Sequence, residues 1–449
     1  MIRVDVKDIV NLSEGILENR EFYNIPVEGV SIDTREINKN NLYIPIVGEK
    51  FDGHKFVLDA IEKGASACLW NKNIDIPDLD FPFILVEDTL EALKTLAVNY
   101  KNTIENLKLI GITGSNGKTT TKDIMEGVMS KKYKTVKTKG NFNNMIGVPL
   151  TLLSLNHDTE VGIIEMGTDG FGQIKELTNM VNPDIAMITN IGKSHLDLLK
   201  NKENVARAKF EILDGLKSNG HFIYNNDDDT LNKVIKEYDI KQDLINYGVI
   251  ESSDYRLELI EEGIEGIKFK IYEGDISSEL SLPMLGRHNM YNAACAIIVA
   301  RILGLTYDEI QDGFYNIKKT DMRNDIMEAE NFTILNDAYK SNPNSLLAAL
   351  DTLESIKGFE SKAVVLGDML DLGDEVESIH EEVGKKIKPE VVDQIFTIGD
   401  LAKHIAMGAL ENFNSENLYH ANTKKELVDK INKYMNKDSL VLFKASRSV

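Results

Sequence analysis

Cysteine is almost absent: the 449 residues hold two, Cys68 and Cys295. They lie far apart and lack the paired spacing of a zinc or iron–sulfur site. A disulfide framework is therefore excluded, and both read as reduced, buried thiols of a cytoplasmic protein. No apolar run approaches the roughly 18 residues of a membrane span. The opening segment, MIRVDVKDIV, lacks the long apolar stretch of a signal peptide. Positive charge is in deficit, with 51 Lys and Arg against 72 Asp and Glu, a net charge of −21. So acidic a chain is a poor non-specific binder of nucleic acid, and no such partner is expected. A local positive site for an anionic small substrate remains compatible with this balance. Internal repeats and low-complexity segments are also missing.

What is present is an ordinary globular composition, 42% hydrophobic and 27% charged, in a chain long enough for three domains. Residues 1–100 read as a mixed α/β unit. Asn41-LYIPIV-Gly48 looks like a strand, and Phe56-VLDAIEKGA has helical spacing up to Gly64. A helix capped by Asp88 or Thr89 leads onward. Residues 101–318 alternate short apolar strands with helices: Leu107-KLIGIT, Val161-GIIEMG and Asp184-IAMITNIG. Continuously apolar strands of this kind form a parallel sheet buried on both faces, which binds ligands beyond its C-terminal strand ends. A β-rich insertion is expected over Tyr255–Pro283, then a helix from Asn292. Residues 319–449 repeat the pattern at Phe332-TILNDA, Ser361-KAVVLGD, Gln394-IFTIGD and Ser439-LVLFKAS, a second doubly wound, Rossmann-like sheet. The predicted fold class is thus α/β in three domains, the central one carrying a phosphate loop.

That loop is Gly111-ITGSNGKTTTKDI, where a strand enters, Gly114 and Gly117 free the backbone, and Lys118-Thr119 opens a helix. Backbone N–H groups and the helix N-terminus suit phosphate oxygens. Lys118 would neutralise phosphate charge and the Thr119 hydroxyl would reach Mg²⁺. The general pattern wants a glycine five residues before Gly117, where Ile112 stands, so the loop is a variant. Lys118 is expected to face solvent. The loop alone does not choose between a GTPase, a kinase and a ligase.

Taken singly, Glu165 after its strand reads as a turn acid, His195 as structural and Lys209 as a solvated helix lysine. Their order along the chain changes this. GSNGKTT, Gly140-NFNNMIGVPLTLL, IIEMG, TNIGKSHLD, ARAKFEIL, LGRHNMYNAACA, Met322-Arg323, LNDAYKSNPNSLLAAL, LGDMLDLG and the terminal KASRS follow one another. In this order they resemble the Mur ligase family over nearly the whole chain. Ser31-IDTRE and Gly48-EKFDGH resemble its N-terminal UDP-binding domain. The NDAYKSNP loop, with no D-Y-A-H-T-P signature, resembles the family members that add a dipeptide rather than a third amino acid.

The resemblance implies an ATP-dependent ligase, expected to be a monomer, that phosphorylates the terminal carboxylate of a UDP-N-acetylmuramoyl-tripeptide. The amine of D-alanyl-D-alanine then attacks the acyl phosphate. It further implies that Gly114, Ser115, Asn116, Gly117, Lys118, Thr119 and Thr120 cradle ATP, with Lys118 on the transferring phosphate. Thr119 and Glu165 would hold one Mg²⁺, and His195 with an N6-carbamylated Lys209 a second. Asn289 and Asn292 match asparagines near the nucleotide, His288 reads as structural, and Arg323 and Asp337 engage ATP when the domains close. Asn141, Asn143 and Asn144 would bind the muramoyl substrate, and Ser31, Thr34, Arg35, Asp52, Gly53 and His54 its uridine-diphosphate end. Lys340 and Ser341 replace an Asn-Ala pair common in the family, Ala445 replaces a glycine, and relatives usually continue past Val449 with a short helix. Two other readings stay open. One is a different ligase of the superfamily, such as a folylpolyglutamate synthase. The other is a nucleotide-binding scaffold without catalysis.

Overall fold

The computed structural model describes residues 1–48 and 51–446. Glu49 and Lys50 of the GEKFDGH segment, and Arg447 and Ser448 of KASRS, lie outside the described residues, as does Val449.

The N-terminal part forms a four-stranded parallel sheet, β1 (Val30–Ser31), β2 (Leu42–Tyr43), β3 (Ala67–Asn71) and β4 (Phe83–Val86), in that order. The run expected as one strand after Asn41 is split. Only Leu42–Tyr43 joins the sheet, and Val47–Gly48 pairs with Phe51–Asp52 in a separate hairpin. Pro45, which has no N–H for a ladder, falls between the two. Helix α1 (Val57–Glu62) precedes β3, and α2 (Thr89–Lys101) follows β4. Asp88 caps α2, its Oδ1 accepting from the N–H groups of Leu90 and Glu91, both at 2.9 Å. Leu93, Leu96, Ala97 and Tyr100 are buried along one face of α2. The Lys101 ammonium at its end donates to the carbonyls of Met180 and Val181, each at 3.1 Å, fastening this part to the next.

The central sheet has nine strands: β5 (Lys108–Thr113), β6 (Thr135–Lys137), β7 (Val161–Glu165), β8 (Ile185–Ile188), β9 (His221–Asn225), β10 (Asp243–Gly248), β11 (Tyr255–Gly263), β12 (Gly266–Glu273) and β13 (Ile276–Leu282). Their spatial order is β6-β7-β5-β8-β9-β10-β11-β12-β13. The chain runs from β5 to one side through β6 and β7, then crosses to β8 on the other. The direction therefore reverses at β5, and the crevice beyond its C-terminal end is where such a sheet takes its ligand. Strands β11–β13 fill the β-rich stretch expected over Tyr255–Pro283 and continue the central sheet. Tyr247 and Gly248 pair in parallel with Tyr255 and Arg256, and two antiparallel hairpins then extend the same sheet. Alternate residues Ile267, Phe269 and Ile271 are buried, the period-two pattern of a strand with one covered face.

Helices α3 (Lys118–Met129), α4 (Gly147–Ser154), α5 (Lys202–Phe210) and α6 (His288–Ile302) cover this sheet. Helix α6 begins four residues before the expected Asn292. Arg287 at its cap makes no side-chain cap bond, so no local residue marks the start. Every residue of β7 is buried and Ile163 is fully so. Ile163→Ala should cost about 2–5 kcal/mol, because the surrounding strands cannot collapse into the void. A lower urea midpoint at unchanged slope would register it.

The C-terminal sheet comprises β14 (Asp325–Glu328), β15 (Thr333–Asn336), β16 (Ser361–Gly367), β17 (Gln394–Ile398), β18 (Leu418–Ala421) and β19 (Ser439–Lys444). Its order is β14-β15-β19-β16-β17-β18, parallel except for β14. Helix α7 (Pro343–Ser355) follows β15, with Pro343 at its first turn and the Asn342 side chain accepting from the Ser345 N–H at 2.9 Å. Both cysteines are buried and free. No described helix is long and apolar enough to cross a membrane.

Candidate active site

A cleft of about 850 Å³ opens beyond β5, between the central sheet and the C-terminal sheet. Its floor is the loop from Gly114 to Gly117. Gly114 has φ +152°, and a Cβ there would lie 1.9 Å from the Thr189 hydroxyl oxygen. Gly117 has φ +81°, and its Cβ would lie 2.3 Å from Asn292 Oδ1. A left-handed non-glycine residue costs about 1–3 kcal/mol before any clash. Gly117→Ala should therefore weaken ATP binding at least about ten-fold, measured by calorimetric titration.

The loop is pinned from β8. The Ser115 N–H donates to the Asn190 carbonyl and the Asn116 N–H to Asn190 Oδ1, both at 3.0 Å. Lys118, expected to face solvent, is half-buried and lines the cleft. Its ammonium turns back to donate to the Gly114 carbonyl at 2.6 Å, in a cleft also lined by residues of the C-terminal part. Burial, with Lys340 and Arg323 nearby and Glu165 opposing them, lowers its pKa to about 8. Thr119 and Thr120 are buried at the start of α3.

Glu165 ends β7 at 2% exposure. Its Oε1 accepts from Asn143 Nδ2 at 2.9 Å, while Oε2 is buried with no hydrogen bond. His195 follows β8 in a left-handed turn, φ +53°. Burial, then Lys340 and Lys209, hold its pKa near 4, so the ring is neutral and keeps a nitrogen lone pair. Lys209, on α5, is 2% exposed, and its ammonium has no hydrogen bond or ion pair among the described residues. Burial first, then Lys118 and Lys340, push its pKa well below that of a free lysine. Thr119, Glu165, His195 and Lys209 all line the cleft. Among the described residues no three His, Cys, Asp or Glu side chains gather as a metal cage, so any metal set here is a mixed one.

The C-terminal part closes the other wall. Arg323 sits between two left-handed residues, Met322 and Asn324, and donates from Nη2 to the Thr119 hydroxyl at 3.1 Å. The Tyr339 ring stacks on its guanidinium at 4.4 Å. Asn342 Nδ2 donates to Asn116 Oδ1 at 2.6 Å, and the Leu196 N–H donates to the Asp371 carbonyl at 3.1 Å. The Arg323–Thr119 and Asn342–Asn116 contacts bring residues 204 and 226 positions apart together at the phosphate loop. Asp337 is held by the buried Lys444 ammonium, 3.0 Å from its Oδ2. Lys340 pairs with Asp371 at 3.6 Å, and Ala445 is not among the left-handed residues, so the replaced glycine leaves no strain there.

Asn289 and Asn292 line the cleft and are bonded to each other, Asn292 Nδ2 to Asn289 Oδ1 at 2.8 Å. His288 Nε2 lies 3.3 Å from Asn324 Nδ2, a contact between the central and C-terminal parts. Asn141, Asn143 and Asn144 also face the cleft, although Asn144 Oδ1 spends its capacity on the Ile146 and Gly147 N–H groups before α4. Ser31, Thr34, Arg35, Asp52, Gly53 and His54 are not brought to the cleft and stay on the N-terminal part. There Ser31 Oγ donates to the Asp33 carbonyl, Arg35 pairs with Asp33, and Asp52 Oδ1 holds His54 Nδ1 at 2.7 Å. His54 Nε2 is buried without a partner. The sequence pattern alone did not single out Asn190, Tyr339 and Asp371, which also line the cleft. The TN before IGKSHLD was a visible signal for Asn190. The others depend on contacts far apart in the chain.

Comparison with known proteins points to one family. Residues 26–101 match the Mur ligase family catalytic domain, residues 112–300 the Mur ligase middle domain, and residues 322–447 the Mur ligase glutamate ligase domain. The UDP-N-acetylmuramoyl-tripeptide–D-alanyl-D-alanine ligase of Bacillus subtilis is 40% identical over 100% of this chain and 97% of its own. A crystal structure of MurF from Acinetobacter baumannii superposes with a TM-score of 0.89 at 26% identity, covering 100% of this chain and 97% of that one. MurF ligase from Thermotoga maritima in complex with ADP gives 0.81 at 26% identity, covering 94% and 95%. With three matched domains in order and full-length similarity at this level, the chain belongs to the Mur ligase family.

Proposed function

We propose that this chain joins D-alanyl-D-alanine to a UDP-N-acetylmuramoyl tripeptide at the expense of ATP, giving ADP and phosphate, in cell-wall precursor synthesis in the cytoplasm. The observation that carries this reading is convergence. Lys118, Glu165, His195 and Lys209 from the central part and Arg323, Asp337 and Lys340 from the C-terminal part line a single cleft.

The chemistry needs that convergence. A carboxylate is a poor electrophile and repels ATP, so two anions must be held together while a phosphoryl group moves. Lys118 and Arg323 supply fixed positive charge at the phosphate loop. Phosphorylation of the tripeptide carboxylate makes an acyl phosphate. The dipeptide amine adds to its carbonyl, and phosphate leaves as the amide forms. Packing of the C-terminal part over the loop keeps water from the acyl phosphate. We read residues 1–100 as the part that holds the UDP end, 101–318 as the ATP part and 319–449 as the part that closes, working as a monomer. Ser31, Thr34, Arg35, Asp52, Gly53 and His54 take the uridine diphosphate in this reading, and Asn141, Asn143 and Asn144 the muramoyl group.

The donor set fits Mg²⁺. Glu165 Oε2 is a buried carboxylate oxygen without a hydrogen bond, and Glu165 and Thr119 both line the cleft at the phosphate loop. Thr119 and Glu165 would hold one ion, and His195 with a carbamylated Lys209 another. Bound Mg²⁺ would screen phosphate charge and stabilise the transferring phosphoryl group.

Phosphate release measured on a substrate panel tests the reading. Release should require UDP-muramoyl tripeptide and D-alanyl-D-alanine together. Release with a folate and glutamate instead would move the chain to another ligase, and ATP binding with no release on any pair would make it a scaffold.

A further inference from the structure

Lys122 stands one turn beyond Lys118 on α3, yet it does not line the cleft. It is 1% exposed, among the largest fully buried side chains of the molecule. Its ammonium lies 3.4 Å from Glu165 Oε2 without hydrogen-bonding it, and it donates instead to the Gly140 carbonyl at 2.9 Å. Gly140 opens the loop carrying Asn143, whose Nδ2 holds the other oxygen of Glu165. The carboxylate is thus gripped on Oε1 by a neutral amide. On Oε2 it faces a cation from behind, and that oxygen's hydrogen-bonding capacity is unused.

A buried ion pair is costly to assemble and is seldom a net source of stability. Replacing both members of such a pair by well-packed hydrophobes is often neutral, whereas removing one leaves the other charge buried and uncompensated. We propose that Lys122 is a positioning residue: a built-in counter-cation that balances the Glu165 carboxylate while no metal is bound and keeps Oε2 free for one. This rests on the reading of Glu165 as a Mg²⁺ ligand. The arrangement has a definite sign. Before metal arrives, Lys122 stabilises the folded chain by offsetting a buried negative charge. Once Mg²⁺ is present, the same ammonium is a second cation beside it and opposes binding. Lys122 therefore makes the site ready without metal and lowers its affinity for it, which favours release of the metal with spent nucleotide.

A structural ion pair with no relation to metal would lack this sign. Lys122→Met keeps an unbranched side chain one atom shorter and removes its charge. The full chain, saturated with a non-hydrolysable ATP analogue, is melted across a Mg²⁺ titration. The variant should melt lower than the parent without Mg²⁺, and Mg²⁺ should then recover more of its melting temperature than it adds to the parent. Half-saturating Mg²⁺ should fall about ten-fold in the variant. If Met at this place prevents folding, Lys122→Gln provides the same uncharged comparison. A variant that loses the same melting temperature with and without Mg²⁺, or needs more Mg²⁺ than the parent, overturns the proposal. A parent chain that shows no Mg²⁺-dependent stabilisation overturns instead the reading of Glu165 as a ligand.

Discussion

Replacing Lys118 with alanine should lower amide formation by about 10²–10³-fold, the loss that follows removal of one preorganised group stabilising transition-state charge. The fold should not suffer. In the resting cleft the ammonium makes one hydrogen bond, to the Gly114 carbonyl, and it sits close to Lys340 and Arg323. Its pKa is depressed from 10.5 to about 8 by burial and those neighbours. A base with a depressed folded pKa binds fewer protons folded than unfolded between those two values. Stability therefore rises with pH across that window, and at neutral pH the charged lysine costs stability rather than supplying it. Lys118→Ala should accordingly melt at or slightly above the parent temperature at pH 7. Its value is realised only when phosphate charge fills the cleft. Parent-level amide formation in the variant would remove the phosphate loop from the mechanism.

Lys209→Ala should also lose activity, by at least about a hundred-fold, more than loss of a metal's outer-shell partner usually costs. An ammonium has donors and no acceptor, so an unmodified Lys209 does not ligate Mg²⁺. It would instead be a buried charge without a partner, an arrangement proteins avoid. The low pKa set by burial and by Lys118 and Lys340 removes this difficulty, because it favours the neutral amine. In the proposed reading the neutral nitrogen would add to CO₂ and lose a proton, leaving a carbamate anion to balance the surrounding cations. Its terminal oxygens extend further from the helix than those of a glutamate, and the cleft beside neutral His195 is where they would arrive. Short carboxylic acids added to the Lys209→Ala chain should restore part of the rate by occupying the vacated place. Full activity of the variant, or no response to added carboxylic acid, would return Lys209 to an unmodified buried lysine.

Much of this arrangement is written in local sequence. The strands of the central sheet are short apolar runs closed by glycine or a polar turn, and GSNGKTT sits where one of them ends. Asp88 and Asn342 announce their helices through side chains that reach the first N–H groups. Other features are not local. Pro45 divides a run that hydropathy alone joins. Helix α6 starts at His288 without a capping side chain, so only packing defines its beginning. The hairpins after Tyr255 alternate like any exposed sheet, and nothing nearby says that they pair with Tyr247. The cations that act on Lys118, Arg323 and Lys340, come from more than 200 residues later. Lys122 carried no signal at all, since a lysine in the first turns of a helix ordinarily lies in water. The turn residues near Ser31 and Asp52 are explained locally by capping and ion pairing, so their sequence pattern alone does not separate a ligand site from a well-made turn.

The central claim is that ATP phosphorylates the tripeptide carboxylate in this cleft before the dipeptide amine attacks. Labelling both oxygens of that carboxylate with ¹⁸O and examining the released phosphate by mass spectrometry tests it most directly. An acyl phosphate carries one substrate oxygen across to phosphate, so each phosphate released with amide formation should contain one ¹⁸O. Phosphate free of label, alongside amide product, would mean that the carboxylate is activated in another way and would contradict the account.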